Sequence, residues 1–172
     1  MSAGERDPAV GGRELRTAMS HFATGVTVVA ATVDGEPRGG TANAVASVSL
    51  EPPLVLVCLR HGSRTLQALR EAGTFALNVL GHGQEGLARR FAEVPIGERF
   101  AGLGWKPGGN GAPLLDGAVA TLECAVHEVA DGGDHAVVFG RVLAVGHPDR
   151  HAEPLVFFRG RFRRLHPHAG VG

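Results

Sequence analysis

The chain has 172 residues, 44% of them apolar, with 17 basic against 17 acidic side chains. That length suits one domain with a core of its own, and the balanced charge excludes a global electrostatic footprint for nucleic acid or an anionic membrane. The longest apolar run lies within residues 54–59, far short of the roughly 20 residues of a membrane-spanning helix. Residues 1–12 carry no apolar leader segment, so a soluble cytoplasmic protein is expected.

Residues 1–12 and 166–172 read as polar tails around a single domain over 13–165. Leu15, Ala18, Met19 and Phe22 recur at helical spacing, which predicts a short amphipathic helix over 13–22 with one face on the core. A β-branched strand over 25–33 runs into an Asp34-Gly35 turn. Next, strand formers alternate with small polar residues, so that Thr41, Asn43, Ser47 and Ser49 leave the backbone within reach. This run reads either as a wall for a flat polar ligand or as an edge strand rich in hydroxyls.

Residues 54–59 form a continuous apolar strand expected to be buried on both faces. A turn over 60–63 opens a helix over 64–72, with Leu66 and Leu69 inward and Gly73 as its C-terminal cap. A strand over 75–80 and a helix over 84–92 follow. The Gly- and Pro-rich segment 93–117 contains the lone Trp105 and reads as a lid or a dimer-contact loop. Three strands close the chain, over 118–129, 135–145 and 155–165, the first two joined by Asp131-Gly132-Gly133-Asp134. Antiparallel strands with few helices point to a mainly β fold, a closed or partly open barrel.

Several motifs carry chemistry or exclude it. Gly102-Leu103-Gly104 is no dinucleotide fingerprint, because Pro107 holds the third glycine position and no strand leads in. Ser63 precedes a helix whose free N–H groups suit an anion, so with Arg60, Arg64 and Thr65 it reads as a phosphate site or as an ordinary cap. The amide of Asn78 serves a ligand or neighbouring backbone, and Arg90 is a candidate cofactor contact. The nine histidines give no HExxH and no i,i+4 pair on a helix, Pro148 interrupting His147 to His151, so no metal site is expected. Cys58 and Cys124 stand too far apart for a CxxC motif and read as buried thiols. Arg159, Arg161 and Arg163 alternate along the last predicted strand, as edge protection or as a phosphate-binding stripe.

Thr41 to Leu59, Ser63-Arg64-Thr65, Phe75-Ala76-Leu77-Asn78-Val79-Leu80, Leu87-Ala88-Arg89-Arg90-Phe91, Gly133-Asp134-His135 and Phe157-Phe158-Arg159-Gly160-Arg161-Phe162 together resemble the flavin reductase family with the FMN-binding split barrel. These are the small reductase components of two-component flavin-dependent monooxygenases. The resemblance implies an antiparallel split β-barrel of Greek-key type with a few short flanking helices, a homodimer, and reduction of FMN or FAD by NADH or NADPH for a separate monooxygenase. It also implies that the flavin is held by Thr41, Ala42, Asn43, Ser47, Val48, Ser49, Cys58, Leu59, Arg60, Ser63, Arg64, Thr65, Asn78 and Arg90, with His135 facing nicotinamide and flavin. Gly40 stands where the family often has Met, and with no tyrosine in the chain Phe158 and Phe162 offer no hydroxyl. Two other functions fit the same residues: a flavoprotein with tightly bound FMN acting on an organic substrate, and a non-catalytic flavin-binding module.

Overall fold

The computed structural model of the chain describes residues 10–146 and 152–165. The tails at 1–9 and 166–172, with His147, His151, His166 and His168, lie outside the described residues. The elements in order are α1 (Gly12–Met19), β1 (Thr24–Gly25), β2 (Thr27–Val33), β3 (Glu36–Ala42), β4 (Val45–Leu50), β5 (Pro53–Arg60), α2 (Arg64–Ala72), β6 (Thr74–Val79), a 3-10 turn (His82–Gln84), α3 (Glu85–Glu93), β7 (Trp105–Pro107), β8 (Pro113–Leu115), β9 (Ala120–Gly132), β10 (His135–Gly146), β11 (Val156–Phe158) and β12 (Arg161–Arg163).

Seven strands form one sheet in the order β3-β2-β6-β9-β10-β5-β4, every pair antiparallel. The edges β3 and β4 are consecutive in the chain, separated only by Asn43 and Ala44. A connection that short brings the two edges together, so the sheet curls into a barrel with a seam between them. The fold is thus mainly β, and no described helix is long and apolar enough to cross a membrane.

Both faces of β2 are buried. Val29 and Ala31 point into a core with Val57, Phe75 and Val138, which α2 covers through Leu66 and Leu69. Val28 and Ala30 point the other way, into a second cluster with Phe91 of α3 and with Phe100 and Leu115. α2 ends as its sequence predicts, Gly73 adopting φ 68° and donating its N–H to Leu69 O.

Five sequence expectations change. Residues 54–59 are buried on one face only, Leu56 and Cys58 being half-buried, because the other side of this strand borders a cleft. No residue of α1 is buried, and Leu15, Met19 and Phe22 are 57%, 55% and 66% exposed, so this helix does not pack an apolar face on the core. The polar run 41–49 is two strands on opposite sheet edges rather than one wall. Segment 93–117 is no free lid: it folds into the β7–β8 hairpin and is tied down by side chains described below. The final strand is a hairpin, β11 pairing with β12, because Arg159 (φ 51°) and Gly160 (φ 73°) take the left-handed backbone that a tight two-residue turn requires. Arg159, Arg161 and Arg163 therefore do not form a stripe on one strand.

Candidate functional site

A cleft of about 610 Å³ opens between α1, the outer side of β4 and β5, and the β11–β12 hairpin, within the size range of small-molecule sites. β5 builds its floor by alternation. Val55, Val57 and Leu59 are buried in the core, whereas Leu56 and Cys58 face the cleft. Ala44 and Ala46 keep the adjoining wall low, and Phe22 and Phe157 supply flat apolar surface. A second cleft of about 270 Å³, lined among others by Thr41, Ala88, Arg89 and Phe162, shares Asn43 and Phe157 with the first. Arg89 lies over the Phe162 ring, 5.1 Å from its centroid.

The seam positions the polar residues. Thr41 donates to Ala88 O at 2.6 Å, tying β3 to α3, and Asn43 Nδ2 donates to Thr24 Oγ1 at 3.3 Å. Among the described residues β4 pairs only with β5, which leaves the backbone groups of its other edge for a ligand. The register slips between Ser47↔Val55 and Ser49↔Leu54, so Val48 is the extra residue of a bulge, a device that bends an edge strand and re-aims its groups. Ser49 is drawn into the following turn, its hydroxyl accepting from Glu51 N at 3.2 Å.

His135 opens β10 opposite Arg60 of β5, and Val137 stands opposite Cys58. Residues two apart share a sheet face, so Arg60 and His135 continue the face that carries Cys58. The His135 ring bonds Asp134 through Nδ1 at 2.7 Å, and His61 Nε2 meets Asp131 Oδ1 at 3.0 Å across the same turn. The bond from His135, then its charge, hold the Asp134 carboxyl below the usual carboxylate range. An imidazole bonded through Nδ1 keeps its Nε2 for a further partner.

The remaining predicted residues are placed elsewhere. Asn78 is fully buried; its Nδ2 donates to Val28 O and Pro113 O, and its Oδ1 accepts from Leu115 N. Its amide is spent on backbone. Arg90 donates to the carbonyls of Arg99, Glu98 and Ala101, pinning the long segment rather than reaching a cleft. Ser63 caps α2, accepting from Leu66 N at 3.2 Å, and lies in a separate depression beside Arg70. Arg64 faces another, beside Arg38. Thr65 is buried against Gly40, where a Cβ would come 2.5 Å from its hydroxyl. Ala42 and Leu59 point into the core, so only their backbones are left for a ligand. Asn43 and Cys58 are the predicted residues that line the larger cleft. Sequence reasoning passed over Arg16, whose signal was its place one turn before Met19 on the same helix.

Comparison with known proteins follows the same lines. The profile of the flavin reductase like domain matches residues 19–166. The chain belongs to this family. Among its relatives, an NADH-dependent FAD reductase of Streptomyces globisporus is 48% identical over 165 residues, covering 92% of this chain and 88% of the relative. The reductase subunit HsaB of a flavin-dependent monooxygenase from Rhodococcus jostii is 39% identical over 159 residues, covering 92% of this chain and 80% of that subunit. The solved NADH:FAD oxidoreductase SgcE6 of Streptomyces globisporus C-1027, in complex with NAD and FAD fragments, superposes with a TM-score of 0.86 at 45% identity, covering 92% of this chain and 94% of the other. BorF, the flavin reductase component of a bacterial two-component tryptophan halogenase, superposes with a TM-score of 0.83 at 42% identity, covering 90% and 98%.

Proposed function

We propose that this chain is an NADH-dependent flavin reductase that delivers reduced FAD or FMN to a separate flavin-dependent monooxygenase. The observation that carries the reading is the seam: a cleft with apolar walls lies along an edge strand that pairs on one side only, with His135 on the same sheet face. The relatives named above supply the choice of NADH and the link to a monooxygenase.

The residues fit a flavin. Leu56, Phe22 and Phe157 offer flat apolar surface for a ring system, and the bulged edge of β4 offers backbone N–H groups where the ring's polar edge needs donors. When bound, the flavin accepts a hydride from the nicotinamide, so the chemistry belongs to the cofactors. The protein's part is to stack, orient and exclude water, a task that requires no catalytic triad or carboxylate pair. Asp134 orients the His135 ring, and His135 positions the nicotinamide.

In the same reading the chain works in the cytoplasm as a homodimer. Light scattering on the purified protein reports the mass. The activity is tested by an anaerobic assay that crosses NADH and NADPH with FMN, FAD and riboflavin. The expected result is a protein that purifies without flavin and oxidises NADH only when flavin is added. A yellow protein that turns over an organic substrate unaided, or one that binds flavin without oxidising either nicotinamide, overturns the reading.

A further inference from the structure

We propose that Arg16 of α1 binds the phosphate of the cofactor whose ring system occupies the larger cleft. The proposal deepens the reductase reading and rests on it. Arg16 is the one charged side chain among the described residues that line this cleft; its neighbours there are apolar or small and polar, such as Met19, Phe22 and Leu56. Arg16 and Met19 lie three residues apart on α1 and so share a helix face. Both therefore stand over one opening.

The backbone at Arg16 is fixed while its head group is free. Ser20 N donates to Arg16 O at 3.0 Å, closing the last turn of the helix. The guanidinium itself has no hydrogen bond or ion pair with any described residue. Glu14, the acid of α1, lies two residues away and so on another side of the helix. The Arg159-Gly160 turn is tied to the end of α1 by Arg159 N donating to Ser20 O at 2.9 Å, and Gly160 lines the cleft. A flat ring system against apolar walls with a cation at the mouth describes a phosphate ester of an aromatic heterocycle. A guanidinium holds such a group in a two-bond fork that no apolar neighbour can replace. Ser63, another candidate, caps α2 by accepting from Leu66 N and lies in a separate depression, away from the larger cleft.

FMN and the nicotinamide dinucleotide both carry this chemistry, and riboflavin lacks the phosphate. The test compares wild type with Arg16→Gln and Arg16→Lys, measuring FMN and riboflavin binding by flavin fluorescence and KM for NADH with riboflavin as acceptor. Loss of a charge-assisted contact at an exposed rim is expected to weaken binding about tenfold, with partial recovery in Arg16→Lys. Weaker FMN binding with riboflavin unchanged assigns the phosphate to the flavin; a raised KM for NADH with riboflavin binding unchanged assigns it to the nicotinamide. Equal weakening of FMN and riboflavin, or no change in any of the three, overturns the proposal. A wild type that binds FMN but oxidises no nicotinamide overturns the reductase reading alone, because the binding comparison still stands. The melting temperature of both variants is expected to stay at the wild-type value, since the side chain is exposed.

Discussion

Asn78 and Leu115 hold the β-sheet and the long segment together: Asn78 Oδ1, on β6, accepts the Leu115 backbone N–H of β8 at 2.8 Å in a fully buried setting. The same amide donates to Pro113 O at 3.1 Å and to Val28 O at 3.3 Å. One side chain thus satisfies three backbone groups from two other strands. The hairpin, in a segment that reads from sequence as a lid or a dimer-contact loop, is consequently anchored to the core.

Asn78→Ala is expected to destabilise the fold, because it strands buried donors and acceptors at about 1–3 kcal/mol for each group left unmade. Urea unfolding of variant and wild type measures the loss. An unchanged midpoint would return the amide to the list of ligand contacts.

Gly40→Ala is expected to cost about 1–3 kcal/mol, the usual range for overpacking. A Cβ there would stand 2.5 Å from Thr65 Oγ1 and 3.3 Å from Arg99 Nη1, and Arg99 is held by donating to Val94 O and Gly39 O. Arg99 is therefore not free to retreat, and Thr65 is buried. The family's frequent Met at this position therefore does not fit this chain without rearranging Thr65, and thermal denaturation is the check.

His135→Ala is expected to leave flavin affinity unchanged and raise KM for the nicotinamide several-fold, since one neutral hydrogen bond is worth on the order of 1 kcal/mol. Anaerobic stopped-flow reduction measures it, and an unchanged KM and rate would remove His135 from the site. The Asp134 carboxyl gives a second readout. Its folded pKa is lowered, first by the hydrogen bond from His135 and then by that residue's charge. The pairing is therefore complete above the ordinary carboxylate pKa and is lost as pH falls through the lowered folded value. In His135→Ala an NMR titration should find Asp134 moved back up towards the ordinary value.

The two thiols should separate cleanly in labelling. Burial, then the charge of Glu123, pushes the Cys124 thiol up to about 12, so it stays protonated and inert until the protein unfolds. Cys58 is half-buried and lines the larger cleft. Brief alkylation followed by mass spectrometry is expected to modify Cys58 alone, and saturating FMN to slow that modification. Equal labelling of both cysteines, or no protection by FMN, would count against the cleft as the flavin site.

Much of the fold is legible in residues close together in the chain. Ser63 and Gly73 bracket α2 as cap residues do, and Asp131 to Asp134 turn β9 into β10 so that His135 opens a strand. These are local preferences, set by backbone sterics and capping, and they survive whatever packs around them. Tertiary structure alone decided the rest. Asn78 and Pro113 are 35 residues apart, Thr41 and Ala88 47 apart, and no local pattern tells which polar side chain a distant backbone group will claim. The same holds for α1, whose apolar spacing is real but whose face meets a cleft instead of the core, because a helix face acquires its meaning from whatever lies opposite it.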